Sequence, residues 1–305
     1  MSEPDDVTLL LDRITKSYGD FVAVNELSLA VSRGRIFGLL GPNGAGKTTT
    51  IRMIVNITAP DSGTIKLFGQ TMSAELQNRI GYLPEERGLY KRMKVGEQLR
   101  FFGELRGMKA RAADAAIDRW LERLKLSEWK NSKTNELSKG MQQKIQFIAT
   151  VMHDPDLLIL DEVFSGLDPV NVELMRDVVL ELKAAGRTII FSTHMMEQAE
   201  RLCDDICLIN RSRKVLEGSL REVKKSFGRN AVALRAEGVN GVLADRSLVA
   251  SVKPHSDYVE VLLAGGADSQ ELLKRLLAEG ARVTKFEQVE ASLHDIFISK
   301  VQEQS

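Results

Sequence analysis

Gly41-Pro42-Asn43-Gly44-Ala45-Gly46-Lys47-Thr48 has the spacing G-x-x-x-x-G-K-[ST] of a phosphate-binding loop. Glycines at these places let the backbone curl until several N–H groups face one anion. A helix beginning near Lys47 adds its N-terminal dipole and its unpaired donors. Lys47 would reach the β- and γ-phosphates of a nucleotide as a point charge, and Thr48 would offer its hydroxyl to Mg²⁺. Thr49 and Thr50 continue the run with β-branched residues, which are poor helix formers, so hydroxyls near phosphate are expected there too. A second group closes an apolar run: Leu157-Leu158-Ile159-Leu160 leads into Asp161 and Glu162. Asp161 suits a Mg²⁺ contact, and Glu162, one residue on, suits a general base acting on a water. His194, in Ser192-Thr193-His194, ends another apolar run and is read as a γ-phosphate contact. His153, His255 and His294 have no such placement and are read as structural.

These groups must be carried to one edge. Ile36 to Leu40 reads as a buried strand before the loop, and Ile51, Ile54 and Val55 give the following helix its apolar stripe. Asp156 to Leu160, Arg187 to Phe191 and Cys207 to Asn210 read as further strands. Helices are expected between them, including one opened by Asp168-Pro169 and closed by Gly186. Strands alternating with helices imply a largely parallel α/β sheet, whose ligands sit at the carboxyl ends of the strands. The first 30 residues alternate apolar and polar and predict antiparallel strands. Residues 86 to 152 predict mostly helix, with Met141, Ile145, Ile148 and Met152 on one face.

Around Gly218 to Arg229 the pattern breaks, and a domain boundary is expected near Gly218. The two domains are then 1–218 and a small α+β domain at 219–305. In the latter, Ala231 to Arg235 and Tyr258 to Leu263 read as strands. Asp268-x-x-Glu271 resembles a capping box before Leu272, Leu273, Leu276 and Leu277.

The 305 residues suit about two domains. Forty-two basic residues balance forty-two acidic ones, which argues against a broad nucleic-acid footprint. Hydrophobic residues make up 43% and charged residues 28%, which excludes a wholly disordered chain. No run of about 18 apolar residues exists, so a multispan membrane protein is excluded as well. Cys203 and Cys207 fit neither a disulfide framework nor a C-x-x-C redox pair and read as buried thiols. The polar start, Met1 to Asp6, shows no secretory signal, so a cytoplasmic protein is expected.

The motifs in this order resemble the ATP-binding cassette (ABC) family of transport ATPases. The element that separates this family from other phosphate-loop proteins is Glu136-Leu137-Ser138-Lys139-Gly140-Met141-Gln142-Gln143, which is similar to the signature sequence LSGGQ. Ser138 could also cap the helix that follows. The resemblance covers about residues 5 to 218. It implies a P-loop cassette with a mixed sheet core, a helical subdomain at about 86–152 and an antiparallel β-subdomain. It gives Tyr18 the place of the adenine-stacking aromatic. Ser138, Lys139, Gly140 and Met141 take the place of the γ-phosphate clamp across a dimer. Ser165-Gly166-Leu167-Asp168 takes that of the D-loop, which touches the other subunit. Glu85 stands at the Q-loop, as a further metal contact, where the family usually has Gln. Lys139 replaces a signature Gly, Met141 replaces the signature Gln, and Val163 stands where Pro is frequent.

ATP and Mg²⁺ are the implied cofactors. A second cassette, most simply a homodimer, and a separate integral membrane permease are the implied partners. The chain would then be peripheral on the inner face of the cell membrane. Leu83-Pro84-Glu85-Glu86-Arg87-Gly88-Leu89-Tyr90 and Ser292-Leu293-His294-Asp295-Ile296-Phe297 resemble a bacterial branch linked to sodium and drug export. A soluble cassette acting on ribosomes or DNA is the competing expectation. The basic stretch Arg211, Arg213, Lys214, Arg221, Lys224, Lys225 and Arg229 reads instead as a solvated face or one near lipid headgroups.

Overall fold

Unbroken apolar runs become the middle of a sheet. In the computed structural model, β1 (Val7–Tyr18), β2 (Phe21–Ser32) and β3 (Ile36–Leu40) lead to the phosphate loop and α1 (Lys47–Ile54). Then come β4 (Ser62–Leu67), α2 (Ala74–Gln77), β5 (Ile80–Leu83), α3 (Val95–Leu105), α4 (Ala110–Arg123) and α5 (Lys139–Val151). They are followed by β6 (Leu157–Asp161), α6 (Pro169–Ala184), β7 (Thr188–Thr193), α7 (Met196–Leu202), β8 (Asp205–Asn210) and β9 (Arg213–Ser219). The described residues are 6–86, 88–227, 231–239, 241–289 and 292–303. The expectations that touch Met1 to Asp5, Arg87 and Arg229 lie outside them.

β3, β6 and β7 are buried at every residue and form the centre of a six-stranded sheet ordered β5-β6-β7-β3-β8-β9. All neighbours run parallel except β9, which returns antiparallel to β8. A second sheet, β2-β1-β4, is antiparallel. Its inward residues Leu9, Leu11, Val24 and Leu27 share one core with Phe37, Leu39, Ile51, Ile54, Ile159 and Ile190. That core clamps α1 between the two sheets, which fixes where the loop before it points.

The chain divides into two compact units, Met1–Leu220 and Arg221–Ser305. Within the stretch read as a break, residues 218–226 form the end of β9 and then α8 (Leu220–Ser226). The second unit continues with β10 (Ala231–Glu237), β11 (Val249–Pro254), β12 (Val259–Leu263), α9 (Ser269–Ala278), β13 (Arg282–Val289) and α10 (Leu293–Glu303). Its antiparallel sheet is ordered β11-β12-β10-β13. With a 3-10 turn at Val242–Ala244 between β10 and β11, this is a split βαβ arrangement whose first helix has shrunk to one turn. Val232, Leu234, Val261 and Leu263 pack against Leu272 and Leu276 of α9. Asp268 caps α9 through the Gln270 N–H, while Glu271 turns to Arg275 at 3.3 Å. The cap forms as expected, but the reciprocal box does not.

Candidate nucleotide site

The phosphate loop has the curl its glycines allow. Gly46 lies at φ 108°, and a Cβ there would sit 2.4 Å from the Ala23 carbonyl oxygen. At Gly41 a Cβ would meet the Ile209 carbonyl oxygen at 2.1 Å. Neighbouring strands thus press on the loop at two points where only glycine fits. Lys47 is buried and folds its ammonium back, donating to the carbonyls of Gly41 at 2.8 Å and Pro42 at 3.2 Å. Burial lowers its pKa, and Glu162, Asp161 and Glu85 act in the opposite direction. Thr48 Oγ1 donates to Asp161 Oδ2 at 3.3 Å. Thr50 departs from its expectation. Its hydroxyl donates to the Gly46 carbonyl at 2.9 Å and the residue is wholly buried, so it serves the helix and not a phosphate.

Asp161 is 1% exposed at the end of β6. Burial raises its pKa, Glu162 and Glu85 add to the rise, and Ser192 and Lys47 pull the other way. Glu162 takes a left-handed φ of 50°, which turns it away from the strand direction. Its N–H donates to the Ser192 carbonyl at 2.9 Å. Its carboxylate accepts from Thr193 Oγ1 at 3.1 Å and from the His194 N–H at 3.0 Å, and His194 Nδ1 lies 2.7 Å away. β6 and β7 are adjacent and parallel, so both strand ends supply this arrangement. Glu162 is only 8% exposed, and its two oxygens are held in a fixed orientation.

A cleft of about 300 Å³ gathers Asn43, Lys47, Thr48, Thr49, Asp161 and Glu162. Gly44, Gly46 and the exposed Glu85 also line it. His194 lies instead on an adjoining cavity of about 430 Å³, shared with Glu162 and Ser165-Gly166-Leu167. Tyr18 is exposed at the end of β1 and does not line the cleft; Phe21, its partner across the hairpin turn, does. Ser138 caps α5, accepting from the Met141 N–H at 3.3 Å. Ser138 and Lys139 are exposed, Gly140 and Met141 half-buried, and none of the four lines the cleft of its own chain. Asp168 caps α6, accepting from the Asn171 N–H and amide at 3.0 and 2.6 Å.

The donor set tests the implied metal. Among the described residues no three His, Cys, Asp or Glu side chains are grouped to hold an ion alone. The Thr48 hydroxyl and the Asp161 carboxylate are hard oxygen donors beside the loop. That fits Mg²⁺, which takes one or two protein oxygens and completes its shell with phosphate and water.

A family model described as "ABC transporter" matches residues 24–165, and one described as "ATP-binding protein DrrA1-3-like, C-terminal domain" matches residues 218–301. An ABC transporter ATP-binding protein of Bacillus subtilis, YhaQ, is 46% identical over 96% of this chain and 98% of its own. The chain belongs to the ABC transporter ATP-binding proteins. The Nod factor export ATP-binding protein I of Burkholderia lata is 37% identical over 93% of this chain and 94% of its own. A solved ATP-binding subunit of an ABC transporter superimposes with a TM-score of 0.67 at 29% identity, covering 72% of this chain and 93% of that one. The ADP form of the ABC cassette MJ1267 gives 0.64 at 25% identity, covering 71% and 92%.

In this ABC protein, sequence reasoning overlooked Phe21 and Thr193. Phe21 carried a signal, an aromatic two residues beyond the Gly19 turn on a strand otherwise apolar inward. Thr193 stood inside the quoted Ser192-Thr193-His194 triplet, but its hydroxyl has meaning only once β6 and β7 are known to be neighbours.

Proposed function

We propose that this chain hydrolyses ATP and thereby drives a separate integral membrane permease, as the nucleotide-binding subunit of an exporter of small molecules or ions. The observation that carries the reading is Glu162, oriented by Thr193 and His194 at the wall of the phosphate cleft. A carboxylate so held can accept a proton from an attacking water, while Lys47 and the loop N–H groups face the phosphates. Mg²⁺, when bound through Thr48 and Asp161, would supply charge neutralisation to the phosphates. Ser138 and Gly140 stand free of their own cleft, as groups that close on the nucleotide of a second cassette would.

No helix among the described residues is long and apolar enough to cross a membrane, so the path for cargo is assigned to a partner. The permease is placed against the helical region 86–152, where Tyr90, Phe101 and Leu105 are exposed. Residues 1–218 are taken as the cassette and 219–305 as an accessory domain. Export is supported by the full-length likeness to Nod factor export proteins and by the DrrA1-3-like match.

Glu162→Gln should bind ATP as the parent does and lose about 100-fold or more in turnover. Parental turnover in that variant would remove the base assignment. Co-expressed with a permease encoded beside it, the chain should sediment with membranes. Recovery wholly in the soluble fraction would overturn the transport reading.

A further inference from the structure

At the other end of the central sheet, where β6 and β7 begin, a cavity of about 460 Å³ opens among Thr8, Arg33, Phe68, Arg79, Asp156 and Arg187. The nucleotide site makes no use of it. Phe68 holds a left-handed φ of 50°, an unusual conformation for a bulky side chain. The Arg79 guanidinium lies over its ring, 3.9 Å from the centroid. Arg79 Nε donates to Asp156 Oδ2 at 2.6 Å, and Arg187 reaches Asp156 at 3.2 Å and Asp154 at 2.6 Å. Arg187 Nε is buried without a hydrogen-bond partner. Arg33 is exposed and forms no ion pair among the described residues. Three guanidiniums thus face two carboxylates, and donors remain unused.

A cluster serving only to pin strand ends would need neither the strained aromatic platform nor a third guanidinium without an acidic partner. An oxyanion would answer the surplus charge and the unpaired Arg33 guanidinium on the cavity wall. We propose that this cavity binds a small phosphate-bearing anion. Guanidinium forks match pairs of phosphate oxygens, and the volume falls within the range of about 300–1,000 Å³ common for ligand pockets. Asp156 and Thr188 stand at the starts of the strands whose far ends carry Asp161 and Thr193. An occupant would therefore brace both strands from beneath. This site is independent of the proposed function.

The test uses inorganic pyrophosphate, titrated calorimetrically into the full chain with its phosphate loop first filled by ADP and Mg²⁺. One saturable event is expected, weakened about tenfold or more in Arg33→Gln through loss of a charge-assisted bond. It should persist in Lys47→Ala, and the melting temperature of Arg33→Gln should match the parent. Absence of saturable heat, unchanged binding in Arg33→Gln, or loss of binding in Lys47→Ala would each overturn the proposal. The last result would place pyrophosphate in the phosphate loop.

Discussion

Three carboxylates, Glu85, Asp161 and Glu162, line the cleft against one lysine. Side chains alone would repel a polyanion, so backbone N–H groups, with a divalent cation when one is bound, would carry much of the attraction. Asp161 bears the cost while no cation is bound: its pKa lies above the ordinary 3.8 because the ionised form is buried. The sign follows from linkage. A carboxyl raised in the folded state gives full stability below pH 3.8 and loses it as pH climbs through the raised value. Asp161→Asn should therefore melt a few degrees higher than the parent at pH 7 without ligand, and no higher near pH 3.5. Thermal scans at the two pH values check this, and an equal gain at both would remove the charge argument. The same variant should lose Mg²⁺-dependent strengthening of ATP binding.

At the level of elements, the loop between β3 and α1 is shaped by what presses on it. Gly44 also has a positive φ of 77°, but no atom lies within 4 Å of a Cβ built there. Gly46 has both the positive φ and the Ala23 carbonyl. Gly44→Ala should cost about 1 kcal/mol, the left-handed penalty alone, and Gly46→Ala about 2–3 kcal/mol or more with loss of ATP binding. Denaturant melts of the pair check the order, and equal losses would refute the steric account. β3, β6 and β7 were readable because strands buried on both faces leave unbroken apolar runs. β4 (Ser62–Leu67) and β11 (Val249–Pro254) were not, since all but one residue of each is exposed or half-buried and their sequences mix polar and apolar types. β5 is four residues long, too short for a period to show. Lys47, Asp161 and Glu162 were legible because loop and strand-end chemistry is local. Thr193 acts through a neighbour far away in sequence, which no local pattern encodes, whereas Phe21 beside its turn could have been read.

Across the whole molecule, balanced charge coexists with strongly uneven local charge, three acids around the phosphate-loop cleft and three arginines around the second cavity. Every residue lining either cavity belongs to Met1–Leu220. A chain ending at Leu220 should therefore bind an ATP analogue with the affinity of the full chain, by equilibrium titration. A large loss would show that Arg221–Ser305 contributes to nucleotide binding.

The bent-back lysine has a kinetic corollary. With its ammonium already bonded to the Gly41 and Pro42 carbonyls, Lys47 was stripped of water when the protein folded. An incoming phosphate takes over bonds from two carbonyls and meets little hydration left on the lysine. Entry becomes a swap between competing oxygens. Only an anion that offers stronger acceptors than the loop itself, with the reach to engage the surrounding N–H groups together, can win the lysine.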